Sequence, residues 1–106
     1  MFEKFCDVLC LEKEFITVEV NPPHGASIDN LIADIKKHNL QDKVTGFSCT
    51  DNPLAKLKMS GVLSAIKLQQ EFGIPVLATM SMRDKNKLSL QSTLLGANDF
   101  NLRCIL

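Results

Sequence analysis

The 106-residue sequence lacks several features that mark specialised classes of protein. It has no excess of one charge, since 12 Lys and Arg residues balance 12 Asp and Glu residues, which argues against proteins that bind nucleic acid or anionic membranes. No apolar run approaches the ~20 residues of a transmembrane helix. The first fifteen residues contain acidic side chains and no apolar core, so we expect no signal peptide and a cytoplasmic protein.

Several motifs that carry chemistry are also missing. The sequence contains no GxGxxG, GxxxxGK[ST] or GxSxG motif, which excludes classical dinucleotide-binding, P-loop and serine-hydrolase sites. Its cysteines (Cys6, Cys10, Cys49 and Cys104) form no CxxC pair and no zinc-finger cluster, so we predict no metal site. We interpret them as reduced, buried thiols, and a redox or metal pair of Cys6 with Cys10 is the alternative.

The sequence does contain a regular alternation of strand and helix patterns. Apolar spacing and β-branched runs predict helices over residues 1–12, 27–38, 59–72 and 84–95, and strands over 16–20, 44–49, 75–82 and 102–106. Ser27 and Asp84 are the predicted N-caps of the second and fourth helices. Gly73 and Gly96 are predicted to follow the third and fourth helices.

This alternation predicts the α/β class and a single domain over residues 1–106. We expect parallel strands in the order 1-2-3-4, with the helices on the same side of the sheet. Such a chain is either a small four-stranded α/β domain or the first part of a TIM-type (β/α)8 barrel. It would supply about three β/α units and the next strand, whereas a complete barrel has eight units.

Polar residues near the carboxyl ends of the predicted strands mark a candidate site, because parallel α/β folds bind ligands at that edge. Glu19 lies in a β-branched strand, on the face opposite Val18 and Val20. A buried, unpaired carboxylate would cost several kcal/mol. Glu19 therefore either faces water from an edge strand or has a function. The sequence TDNP at residues 50–53 is similarly compatible with a plain turn or with a ligand-binding loop.

Four segments, in order, resemble the methylenetetrahydrofolate reductase family. Residues 17–23 (TVEVNPP) resemble the segment that opens the barrel of these enzymes. Residues 50–53 (TDNP), followed by KMS at 58–60, resemble the second segment. Residues 80–86 (MSMRDKN) and 91–97 (QSTLLGA) resemble two later segments in the same order and spacing.

The resemblance implies a flavin-dependent β/α-barrel oxidoreductase that reduces 5,10-methylenetetrahydrofolate to 5-methyltetrahydrofolate in one-carbon metabolism. FAD would pass a hydride from NAD(P)H to the folate substrate. Glu19 matches the catalytic glutamate of the family, whose expected role is general acid. Thr50, Asp51 and Asn52 match cofactor contacts after the second strand, and Thr79 stands where many members carry a flavin-contacting histidine.

The sequence departs from the family pattern in three ways. It does not include the later strands, Thr79 replaces the histidine, and Lys58 replaces an arginine. We therefore expect an oligomer or a complementing chain, and this chain alone can be an inactive fragment. The alternative is a non-enzymatic α/β module that completes its sheet with a partner chain. An unrelated nucleotide binder is disfavoured because the five glycines are scattered.

Overall fold

A computed structural model describes residues 5–7, 10–11 and 14–106 of the protein. In this part of the chain, three short strands alternate with three helices. The strands are β1 (Thr17–Val20), β2 (Gly46–Cys49) and β3 (Val76–Ala78), and the helices are α1 (Asp29–Lys37), α2 (Gly61–Phe72) and α3 (Lys87–Asp99). Short 3-10 turns occur at Leu40–Asp42 and Pro53–Ala55. The protein is therefore of the mixed α/β class, as predicted.

The three strands form one parallel sheet in the order β1-β2-β3, which confirms the predicted order. The predicted fourth strand is reduced to a parallel bridge between Ala78 and Ile105. The N–H of Ala78 donates to the carbonyl of Cys104, and the N–H of Leu106 donates to the carbonyl of Ala78, both at 2.9 Å. Residues 104–106 thus extend the sheet beyond β3.

One face of the sheet is buried beneath the helices. Strand residues alternate between faces, and the register aligns Val20, Cys49 and Ala78 across the sheet on the buried side. These strand residues belong to one apolar cluster with residues from all three helices. The helical members of the cluster are Ile32, Ile35, Val62, Ala65, Ile66, Leu68 and Ala97. The helices therefore pack on the same side, as predicted.

The opposite face of the sheet, which we call the open face, carries residues of lower burial. Glu19 is exposed, and its neighbours in register, Ser48 and Leu77, are half-buried. The ring of Phe5 lies beside Gly46 at the amino end of this face. The carboxyl half of the open face is left to the polar residues of β1 and β2.

The helix predicted over residues 1–12 falls largely on positions outside the described residues. Residues 5–7 and 10 are helical, and Phe5 is buried. The predicted apolar positions Phe2 and Leu9 lie outside the described residues.

Local signals correctly located the C-terminal end of α2, whereas the helix begins at Gly61 rather than at the predicted residue 59. The hydroxyl of Ser60 accepts the N–H of Leu63 at 3.2 Å, which caps the first turn. Gly73 ends the helix with φ of 65°, a left-handed conformation that glycine adopts without steric cost. A Cβ atom at Gly61 would lie 2.5 Å from the carbonyl oxygen of Thr50, so glycine allows the helix to begin against the end of β2.

The predicted starts of the other two helices are wrong, and so is the predicted end of α3. The predicted end of α1 near residue 38 is confirmed, since His38 is its C-cap. Ile28, not Ser27, is the N-cap of α1, although the hydroxyl of Ser27 accepts the N–H of Asp29. Asn86, not Asp84, caps α3, because its side-chain oxygen accepts the N–H of Ser89 at 2.8 Å. Gly96 lies inside α3 rather than behind it. The left-handed residue that follows this helix is Asn101, with φ of 60°.

The strands are also shorter than predicted. β2 begins at Gly46 rather than Val44, and β3 ends at Ala78 rather than Met82. The end of β3 has a visible cause. Backbone bonds to the neighbouring strands continue through Thr79 and Met80, and the N–H of Ser81 then donates to the side chain of Asp51 instead of to a strand.

The environments of the four cysteines differ. Cys49 is fully buried, and burial raises its pKa to about 12, so the thiol stays protonated and unreactive near neutral pH. Cys6 and Cys104 are half-buried and Cys10 is exposed. No disulfide joins them. The interpretation as buried thiols is therefore correct for Cys49 and wrong for Cys10.

Candidate functional site

The candidate site lies at the carboxyl edge of the open face. Glu19 stands beside Ser48 in the strand register. One step further along the strands, the hydroxyl of Thr50 donates to the side-chain oxygen of Asn21 at 2.9 Å. The N–H of Thr79 donates to the carbonyl of Cys49 at 3.0 Å, which places Thr79 beside Thr50. The sheet therefore brings the predicted residues Glu19, Thr50 and Thr79 to one surface.

Glu19 presents its carboxylate to solvent. It makes no side-chain hydrogen bond and no ion pair with the residues that the structure describes. Its strand neighbours Val18 and Val20 face the helices, so strand alternation directs Glu19 to the open face. A carboxylate in this position is available to a ligand, and it stabilises no other part of the described chain through a hydrogen bond or an ion pair.

Asp51 has a different environment, because its side chain is only 8% exposed and one of its carboxylate oxygens is engaged within the chain. One oxygen accepts the ammonium of Lys85 at 2.6 Å and the N–H of Ser81 at 2.8 Å. The ammonium of Lys85 also donates to the carbonyl of Ser81 at 3.2 Å. This network joins the loop after β2 to the loop after β3 and fixes the shape of the carboxyl edge.

Asn52 is also held by hydrogen bonds within the protein. Its side-chain oxygen accepts the N–H of Lys58 at 2.8 Å, and its carbonyl accepts the guanidinium of Arg83 at 3.2 Å. Its φ of 43° is left-handed, which asparagine tolerates better than most residues. Leu54 and Ala55 are left-handed as well, with φ of 58° and 57°, and conformations of this kind cost of order 1–3 kcal/mol each.

Reasoning from sequence missed the groups that organise this edge. Lys85 and Ser81 hold Asp51, and Asn21 accepts the hydroxyl of Thr50. A signal for the ion pair was present, since Lys85 follows β3 and Asp51 follows β2. In a parallel sheet those positions meet at one edge, and an acid facing a base there predicts a pair.

The polar groups of the site residues can be compared with those of the flavin that the family resemblance implies. Thr79 offers a hydroxyl and Glu19 offers a carboxylate that accepts hydrogen bonds, and polar groups of this kind fit the polar edge of a flat ring such as a flavin. The hydroxyl of Thr50 already donates to Asn21, so Thr50 can accept from the ring or must release Asn21 to donate to it. The side chains of Asp51 and Asn52 would have to release present partners to bind it. Their assignment to the cofactor stays a prediction.

Two further findings concern the described part of the chain, residues 5–7, 10–11 and 14–106. It contains no group of three His, Cys, Asp or Glu side chains arranged to hold a metal ion. None of its helices has the length and apolar character needed to cross a bilayer.

Comparison with known proteins gives no identification. No family model, no curated protein and no solved structure matches this chain.

The network around Asp51 generates a prediction about stability. Asp51→Asn retains an acceptor for Ser81 but removes the charge that Lys85 neutralises, and this leaves a partly buried ammonium unpaired. We expect a loss of about 1–3 kcal/mol in the free energy of unfolding, measured by urea denaturation. We also expect faster hydrogen exchange at the amide of Ser81.

Asp84→Asn is the matched control for this variant. The pair of Asp84 with Arg83 is exposed, so its loss is expected to change stability by less than about 0.5 kcal/mol. Equal effects of the two variants would contradict the anchoring role of Asp51.

Proposed function

We propose that this chain forms the first part of a TIM-type (β/α)8 barrel and takes part in the FAD-dependent reduction of 5,10-methylenetetrahydrofolate by NAD(P)H. The observation that carries the proposal is the position of Glu19, Thr50 and Thr79 on the open face, at the carboxyl edge of a parallel sheet. Active sites of β/α barrels lie at this edge. The family resemblance assigns the same residues to catalysis and cofactor binding.

The arrangement of the helices supports a barrel over a doubly wound sheet. A doubly wound sheet carries helices on both faces, whereas α1, α2 and α3 share one apolar cluster with a single sheet face. In a barrel the sheet face opposite the helices becomes the lumen. Glu19 and Ser48 would then point inward. We propose that the remaining β/α units come from a complementing chain or from further copies in an oligomer in the cytoplasm.

In the proposed function, different residues of the chain have different roles. Bound FAD would supply the hydride to the folate substrate, after receiving it from NAD(P)H. The carboxyl group of Glu19 would donate a proton to the folate nitrogen as the methylene bridge opens. The hydroxyls of Thr50 and Thr79 would hydrogen-bond to the flavin. The ion pair of Asp51 with Lys85 keeps the loops that carry these groups in place.

A second candidate function is a non-enzymatic module that completes its sheet with a partner chain. The observation that favours it is an apolar cleft of about 430 Å³ beside residues 104–106. The cleft is lined mainly by Met80, Met82, Leu90, Leu94, Ile105 and Leu106. Residues 104–106 pair with β3 on one side, and within the described chain no strand pairs with their other side. Such an edge accepts another strand.

The proposed flavin contact is tested by titrating FAD into the purified chain and following flavin fluorescence. Thr50→Val keeps the shape of the side chain and removes one hydroxyl, so we expect FAD affinity to fall about five- to tenfold. Thr17→Val is the control, because Thr17 lies on the same face at the amino end of β1. Absence of FAD binding, or equal affinities in the two variants, would count against the enzymatic proposal.

The role of Glu19 is tested in the preparation, chain alone or completed assembly, that reduces methylenetetrahydrofolate. Glu19→Gln is expected to retain the fold, FAD binding and flavin reduction by NAD(P)H. Folate reduction should fall on the order of 10²–10⁴-fold, the usual contribution of general acid catalysis. Glu14→Gln, an exposed residue before β1, should leave the rate unchanged. Normal folate turnover in Glu19→Gln would refute the assignment.

The sheet-completing alternative predicts association through the cleft. Leu106→Lys should weaken self-association or partner binding about tenfold or more in analytical ultracentrifugation, because it puts a charge into the apolar cleft. Leu88→Lys is the matched control, since Leu88 is similarly exposed (76% against 73%) and lies outside the cleft lining. An assembly that needs Leu106 but neither binds FAD nor reduces folate would favour the alternative.

A further inference from the structure

The loops that follow β1 and β2 line a cavity of about 270 Å³ that is open to solvent and has no assigned role. Its lining consists of His24, Gly25, Ala26, Leu57, Lys58 and Met59. Both loops extend from the carboxyl edge that carries Thr50 and Asn21. The cavity is therefore formed by the same loops as the candidate site.

Backbone hydrogen bonds fix both sides of this cavity. The N–H of Met59 donates to the carbonyl of Pro23 at 2.8 Å and joins the two loops directly. The N–H of Lys58 donates to the side-chain oxygen of Asn52, also at 2.8 Å. Pro22, at the base of the first loop, is fully buried. The backbone that presents His24 and Lys58 is thus held in place before any ligand binds.

The lining of the cavity has positive charge without negative charge. His24 and Lys58 are its titratable residues, and no acidic residue lines it. Neither side chain forms an ion pair or a side-chain hydrogen bond with the residues that the structure describes. The neighbouring carboxylates of Asp51 and Asp84 are already paired, with Lys85 and Arg83 respectively.

The remaining walls of the cavity are apolar. Leu57 is largely exposed and Met59 is half-buried, so these walls offer apolar surface to the carbon skeleton of a ligand. Ammonium and imidazole groups that converge on one cavity are donors suited to phosphate or carboxylate oxygens.

We propose that this cavity binds an oxyanion carried by the ligand of the candidate site. The ammonium of Lys58 forms the ion pair, His24 donates a hydrogen bond, and the apolar walls contact the carbon skeleton of the ligand. The identity of the ligand, although not the oxyanion site itself, rests on the proposed function. FAD and NAD(P)H would supply phosphate oxygens, and folate would supply the carboxylates of its glutamate.

The test is a titration of the full chain with inorganic phosphate at constant ionic strength, followed by amide NMR shifts of Gly25, Ala26 and Lys58. We expect saturable shifts at these amides. Lys58→Gln should weaken phosphate binding about tenfold, and His24→Gln should weaken it severalfold. Lys56→Gln is the control, because Lys56 is an exposed lysine two positions away that does not line the cavity. It should leave phosphate affinity unchanged.

A parallel titration with glutarate distinguishes the two sources of the oxyanion. Tighter binding of phosphate would assign the cavity to a cofactor, and tighter binding of glutarate would assign it to the folate tail. Absence of saturable shifts with both probes would overturn the proposal. An equal loss of affinity in Lys56→Gln and Lys58→Gln would also overturn it, because the binding would then reflect general surface charge.

The outcome is independent of the flavin experiment. Saturable, Lys58-dependent phosphate binding in a chain that does not bind FAD would support the oxyanion site and reject the flavin function. FAD binding without saturable shifts for phosphate or glutarate would support the flavin function and reject the oxyanion site.

Discussion

The alternation of side chains along parallel strands is the constraint on which the rest of this structure depends. Val20, Cys49 and Ala78 face the helices in one register, so every second residue of the strands is committed to the apolar core. Glu19 and Ser48 are consequently turned to the other face, whatever their role. A shift of one residue in β1 would bury Glu19 and expose its valine neighbours, at a cost of several kcal/mol.

The polar residues at the carboxyl edge divide into two groups with different tasks. Asp51 and Asn52 maintain the architecture, since their side chains hold the backbone of the next loops through Ser81 and Lys58. Glu19 is free of such bonds within the described chain and remains available for chemistry. The loop after β2 therefore serves the structure, while a residue of β1 remains available to a ligand.

The fold could be predicted where the signal was local. The β-branched run at β1 and the left-handed Gly73 each depend on neighbouring residues, and both were predicted correctly. The Ser60 cap is equally local, but it was not predicted. The start of α3 could not be predicted, because Asp84 and Asn86 are both good caps and the contact of Asp84 with Arg83 decides between them. The positive φ of Leu54 is contrary to the intrinsic preference of leucine, so no local rule predicts it.

The candidate site could be predicted as a set of positions but not as a set of contacts. Strand alternation placed Glu19 opposite its valine neighbours, and the rule that ligands bind at the carboxyl edge marked this region, but the family resemblance was needed to select Glu19, Thr50 and Thr79. The ion pair between Lys85 and Asp51 joins residues 34 positions apart, and its formation depends on how two loops pack. Contacts of this kind follow from the assembled sheet.

The regular spacing of the cross-strand contacts has a consequence for how the chain folds. Thr50 and Asn21 are 29 positions apart, and so are Ile16 and Thr45, which also hydrogen-bond. Each pairing therefore closes a loop of one complete β/α unit, at an entropic cost of about 3 kcal/mol plus a constant. No hairpin between adjacent strands can form early and guide the next step. The sheet must instead gain a strand together with its connecting helix, which makes the kinetics of folding slow relative to a helical chain of the same length.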